Sequence, residues 1–188
     1  MATSTNGTKG FFAGVEAVEP RGGFEILPVT TATGAPRDQK WLVQIVEDSV
    51  EVRHSGDFAK TPGHPYLAYS LAIVEPEEYA NRRVFGMFYF APDAPEDASP
   101  DDQTKVSESR GKVKYQIDAI LGEGTFDSIF ATDLEDAMEQ LCPMLEEVYT
   151  VAVIGKESGK KGTPYEGEVK NKVLNFLPGD SWVNEDAA

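Results

Sequence analysis

Two groups of side chains in this sequence combine flat aromatic faces with cations. The first is Arg82, Arg83, Phe85, Phe88 and Tyr89, with Tyr66 upstream and Lys40 and Trp41 before that. Rings stack on nucleobases and cations track a phosphate backbone, so this mixture is what binding of a single strand requires. The competing reading is that each ring fills a core, the commoner fate of an aromatic side chain. Period two puts Phe85, Met87 and Tyr89 on one side of a strand and Phe88 and Phe90 on the other, and one set must be interior. The second group is Lys156, Lys160 and Lys161, followed by Lys170 and Lys172. Between residues 147 and 177 these five lysines meet four glutamates (Glu147, Glu157, Glu166 and Glu168), so the segment is nearly neutral. It reads either as a ligand-closing hairpin or as a solvated tip.

Catalytic chemistry is poorly supplied. Gly155-Lys-Glu-Ser-Gly-Lys-Lys resembles a phosphate loop but is one residue short, and it joins two expected strands instead of opening a helix. His54 and His64 have no cysteine pair or helical Glu-His partner for zinc, and loop histidines are usually solvated. Cys142 falls on an apolar helical stripe, where an inert thiol is expected. A nuclease-like set of Asp101, Glu168 and Lys170 would need two distant segments to meet, one of them a loop. The expectation is a protein that is not an enzyme and takes no cofactor or metal.

These groups must be held by the following elements. Trp41-Leu-Val-Gln-Ile-Val-Glu-Asp-Ser-Val-Glu-Val52 predicts a first strand, with a change of face near Asp48 that suggests a bulge. Residues 66–74 predict a second strand and 82–90 a third. Residues 93–109 read as an acidic Pro/Ser loop. Val113, Ile117, Ile120 and Leu121 recur at helical spacing up to Gly122 and Gly124. A second helix carries a Thr132/Glu135 capping box and a Leu134, Met138, Leu141, Cys142 stripe, and Pro143 interferes with it. Residues 148–154 and 165–177 read as strands around a Gly/Lys loop at 155–163.

Three strands, a helical segment and a two-stranded hairpin is the element order of an OB-fold. The expected fold class is therefore β-rich α+β, an OB-like five-stranded barrel with the helical segment between strands three and four. A β-sandwich is the alternative. Three segments follow: a flexible arm over residues 1–38, the OB-like domain over 39–178 and an acidic tail over 179–188. The tail, with Trp182, reads either as a plain disordered end or as a tip that recruits replication or recombination proteins.

A chain of 188 residues with 40% hydrophobic content can build one core. One cysteine excludes an internal disulfide. No basic stretch precedes an apolar run at the start, and no apolar run approaches a membrane span, so a cytoplasmic protein is expected. A net charge of −15 argues against an all-round basic surface for duplex DNA and against anionic membranes. Local charge in a groove is what decides binding of a single strand.

Arg82-Arg-Val-Phe-Gly-Met-Phe, the helical pair, and Tyr165-Glu-Gly-Glu-Val-Lys-Asn-Lys-Val-Leu-Asn-Phe-Leu-Pro178 together resemble phage-encoded OB-fold single-stranded DNA-binding proteins. The resemblance covers residues 40–178 and implies non-catalytic work in phage DNA replication or recombination. On this reading the contacts to single-stranded DNA are Lys40, Trp41, Tyr66, Arg82, Arg83, Phe88, Lys156, Lys160, Lys161 and Lys170. A structural or adaptor protein, such as a virion component using the β domain for protein contacts, is the rival.

Overall fold

Alternating apolar residues from Lys40 onward bury one face of a short strand, β1 (Lys40–Ile45), in which Trp41, Val43 and Ile45 are fully enclosed. In the computed structural model, residues 27–28, 39–57, 59–159, 161 and 166–182 are described. The expected bulge near Asp48 is a complete break. Asp48 takes a left-handed φ of 55°, and the chain resumes as β2 (Glu51–His54). The Ser49 hydroxyl bridges this gap. It donates to the Val46 carbonyl at 2.6 Å and accepts from the Ser70 N–H at 3.2 Å, replacing ladder bonds that the break removes.

β3 (Pro65–Glu75) is the spine of the sheet. On one flank it pairs with β2 through Pro65 to Ala68 and then with β1 through Leu71 to Glu75. On the other flank it pairs with β4 (Arg83–Phe88). β1 also pairs with β5 (Tyr149–Ser158), and β5 with β6 (Val169–Leu177). Every pairing is antiparallel, so the described residues form one six-stranded sheet with β4 and β6 at its ends. That single sheet sets aside the β-sandwich alternative. β4 and β6 lie close together but share no ladder, so the sheet is not closed by hydrogen bonds there. Side chains fill the space instead: Phe88 lies 5.7 Å from Phe176 and 4.7 Å from Tyr69, centroid to centroid.

The helices differ from expectation at their starts. α1 spans Pro100–Leu121, so much of the segment expected to be a loop is helix. Its first turns are solvent-exposed and carry no apolar stripe, which is why periodicity missed them. The start signal was nevertheless present: Ser99 accepts the Asp102 N–H, Pro100 opens the helix, and Asp101 and Asp102 sit at its positive end. Val113, Ile117 and Ile120 bury its second half, against β6. α2 (Leu134–Leu145) is capped one residue later than expected, by Asp133 accepting from the Asp136 N–H, while the Asp136 carboxylate accepts from Thr132 N–H at 2.8 Å. Pro143 lies within its last turn. The helix continues to Leu145, and it packs on β2 and β3 through Met138, Leu141 and Leu145.

Four further expectations change. β5 runs straight through Gly155 to Ser158, so the Gly/Lys loop is shorter than 155–163. β6 begins at Val169, and Tyr165 lies outside the described residues. Most of the arm also lies outside them, but Leu27 is buried in the core and its N–H donates to Asn171 Oδ1 at 3.3 Å. At the other end, Gly179–Ser181 forms a 3-10 turn and the Trp182 indole N–H donates to Glu75 at 2.8 Å, so the start of the presumed tail is anchored. Residues 183–188 lie outside the described residues. Among the described residues no helix is long and apolar enough to cross a membrane.

Tyr69, in the centre of β3, is buried, and burial pushes its phenol well above the ordinary tyrosine value. In the unfolded chain a tyrosine loses its proton near pH 10. Above about pH 10 the folded chain therefore holds a proton that the unfolded chain has released, and stability falls as pH rises. The contribution is fully present below about pH 10. Urea midpoints compared between pH 8 and pH 11 are expected to decline less steeply for Tyr69→Phe than for the parent chain.

Candidate nucleic-acid interface

A strand that pairs on one side only and carries period-two alternation has one face for the core and one for solvent. On β4, Val84 and Phe88 take the inner face, at 3% and 1% exposure, and Phe85 and Met87 the outer, at 68% and 59%. Gly86 falls between them on the inner side, opposite Tyr69 in the ladder. A Cβ at Gly86 would come within 2.5 Å of the Tyr69 ring and its hydroxyl, so only glycine leaves room for that ring. Tyr69 thus replaces the side chain that β4 lacks.

Phe85, Gly86, Met87, Val84 and Tyr69, but not Phe88, border a groove of about 1120 Å³. Its lining takes Tyr66, Ala68, Tyr69 and Ser70 from β3, Arg83, Phe85, Gly86 and Met87 from β4, and Glu51 and Arg53 from β2 on the other flank of β3. The β5/β6 hairpin adds residues 168–173 with Glu157, and the strand break adds Asp48 and Ser49. Four acidic residues (Asp48, Glu51, Glu157, Glu168) meet four basic ones (Arg53, Arg83, Lys170, Lys172), so the groove is formally neutral in a chain of charge −15. Arg53 pairs with Glu51 on its own strand. Lys172 and Lys170 reach Glu157 at 2.9 and 3.8 Å. Arg83 makes no ion pair among the described residues and is exposed.

Of the residues expected at the site, Tyr66, Arg83 and Lys170 line the groove. Six described ones do not. Trp41 is fully buried, edge-on to Tyr79 at 5.4 Å, because β1 turns it inward with Val43 and Ile45. Phe88 is in the core for the same reason. The Arg82 guanidinium lies 4.6 Å above the Tyr79 ring, just before β4 begins, and is not part of the lining. Lys40 is half-buried on β1, in register with Val153 and away from the groove. Lys156 is exposed but alternates with Glu157, which is the residue that faces the groove. Lys161 is exposed and outside the lining, and Lys160 lies outside the described residues.

Sequence reasoning named Phe85 and Lys172 in its candidate groups without keeping them as contacts, named Met87 only for its face of the strand, and missed Arg53 as a groove residue. For β4 the signal was available: the set Val84, Gly86, Phe88, Phe90 ends in two rings and contains a glycine that needs an interior neighbour, whereas Phe85 and Met87 are separated by that glycine.

The residues set aside as catalytic have structural partners. His64 Nε2–H donates to the Phe90 carbonyl at 2.6 Å and its ring lies 5.1 Å from Tyr89, so it is not a plain solvated histidine. His54 Nε2 is 3.3 Å from Glu135, joining β2 to the start of α2. Cys142 is half-buried, and burial, then Glu146 and Glu139, push its thiol up and away from the reactive thiolate. Asp101 is on exposed α1, apart from Glu168 and Lys170 in the groove. Among the described residues no three His, Cys, Asp or Glu side chains are grouped to hold a metal.

No protein-family model and no curated protein sequence matches the chain. The Gly86/Tyr69 fit is directly testable. Gly86→Ala forces a methyl group onto a buried ring and is expected to cost about 1–3 kcal/mol, read as a lowered urea midpoint at unchanged slope.

Proposed function

We propose that this chain is a non-catalytic single-stranded DNA-binding protein with an OB-like barrel, and that the strand lies in the groove between β4 and the β5/β6 hairpin. The connectivity supports the barrel. β1 with β2, β3 and β4 form a meander, two helices follow, and β5 returns to pair with β1 before β6 approaches β4. A partly open five-stranded barrel has that arrangement if β1 and β2 count as one bent strand, and its ligands take the second and third strands and the last hairpin loop.

The observation that carries the ligand is the pair of exposed side chains Phe85 and Met87 beside Arg83, in a groove whose lining also holds Tyr66 and Arg53. Large apolar side chains left in solvent inside a groove mark a contact surface. Residues two apart on a strand are about 6.6–6.8 Å from each other, a step that suits successive unstacked bases. Cations flank them on both sides, from β4 and from β6. Stacking would supply most of the sequence-tolerant affinity, with phosphate contacts adding a salt-dependent part. The resemblance noted above extends this to phage replication or recombination in the host cytoplasm.

Fluorescence anisotropy with a labelled oligo-dT at low and moderate salt tests the reading. Phe85→Ala is expected to lose about 1–3 kcal/mol, the worth of one stacked base. Arg83→Ala is expected to weaken binding and reduce the salt slope by about 0.7, one single-strand phosphate contact. Lys156→Ala, outside the groove, is expected to change affinity by less than about twofold. Absence of binding at low salt would transfer the groove to the adaptor reading, with a protein as its ligand.

A further inference from the structure

Glu157 occupies the groove together with the two lysines it pairs with. The β5/β6 register brings them together: Glu157 lies opposite Lys170 and Gly155 opposite Lys172, so the carboxylate is beside one lysine and diagonal to the other on the same face. One carboxylate therefore serves two ammonium groups, at 2.9 Å for Lys172 and 3.8 Å for Lys170. Two further lysine pairs among the described residues, Lys105 with Asp102 and Lys114 with Asp127, lie outside the groove.

Taking the groove to be the single-strand site proposed above, we propose that Glu157 is an internal competitor for the strand's phosphates. A carboxylate oxygen takes the same charge-assisted position on an ammonium group that a phosphate oxygen would take. The trio of Glu157, Lys170 and Lys172 still carries one net positive charge, so it attracts a backbone while holding both lysines on the wall. Bound phosphate displaces the carboxylate from at least one of them. Glu157 thereby sets how tightly the groove holds a strand and how steeply that hold falls with salt. A wholly unpaired pair of lysines would bind more tightly and release less readily.

The test is Glu157→Gln, which preserves size and removes charge, measured by anisotropy on labelled oligo-dT across a salt series. Affinity at low salt is expected to rise about two- to fivefold, the range of a partly exposed ion pair. The salt slope is expected to steepen by up to roughly 0.7 for each lysine freed. The same substitution in a Lys170→Ala/Lys172→Ala background is expected to gain no more than Glu168→Gln, a groove carboxylate without an ion pair among the described residues. Unchanged or weaker binding by Glu157→Gln, with the parent chain still binding, overturns the competitor role and leaves the single-strand reading intact. A full gain without the two lysines also overturns it, since the effect would then be general charge removal. If neither the parent chain nor Glu157→Gln binds at low salt, the single-strand reading itself fails, and the competitor role with it.

Discussion

Where β4 and β6 meet there is no ladder, and three rings hold the sheet together. Tyr69, Phe88 and Phe176 belong to β3, β4 and β6, and each lies within 5.8 Å of the other two. Aromatic pairs of this kind contribute about 0.5–1.5 kcal/mol each beyond their buried area. Their contribution is directional in a way that area is not, because it fixes the two free edges at a set separation. A hydrogen-bonded β4–β6 ladder would instead have brought the edges to about 4.8 Å. The same rings fix which face of β4 is available, since Phe88 turned inward leaves Phe85 and Met87 outside.

Charge in this molecule is distributed by position more than by amount. The residues outside the groove lining carry all of the net −15, because the eight charged groove residues cancel. The reach of exposed charge is limited by salt, with a Debye length of about 8 Å at physiological ionic strength. The groove itself sets four cations and four carboxylates beside the exposed apolar side chains Phe85 and Met87.

Much of the architecture was legible in the sequence. The strand runs at 66–74 and 82–90, the second helix, and the returning hairpin all correspond to elements of the structure, within a few residues at each end. What escaped were features that depend on a partner distant in sequence. The first half of α1 is exposed and has no apolar stripe, so only its Ser99-Pro100-Asp-Asp start could reveal it. Trp41 looked equally suited to stacking and to core until β5 and Tyr79 enclosed it. Phe88 and Phe85 differ by half a period, and alternation alone does not order them. The deciding residue is Gly86, whose missing side chain makes sense only with Tyr69 beneath it, seventeen residues upstream in the chain. Lys172 and Arg53 were hidden differently, since their side of the hairpin and of the broken strand follows from the register alone.

The break between β1 and β2 ties these observations together. A continuous strand of that length would keep both halves on one straight flank of β3 and carry the sheet on as an open, gently twisted ribbon. An interrupted strand bends and twists more sharply. Here Asp48 supplies the left-handed turn and the Ser49 hydroxyl preserves the bonding to Ser70, so the bend costs no orphaned backbone group at that point. Both residues also line the groove. The three rings join β3, β4 and β6 on the inner face, and the break between β1 and β2 places its own two residues in the groove lining.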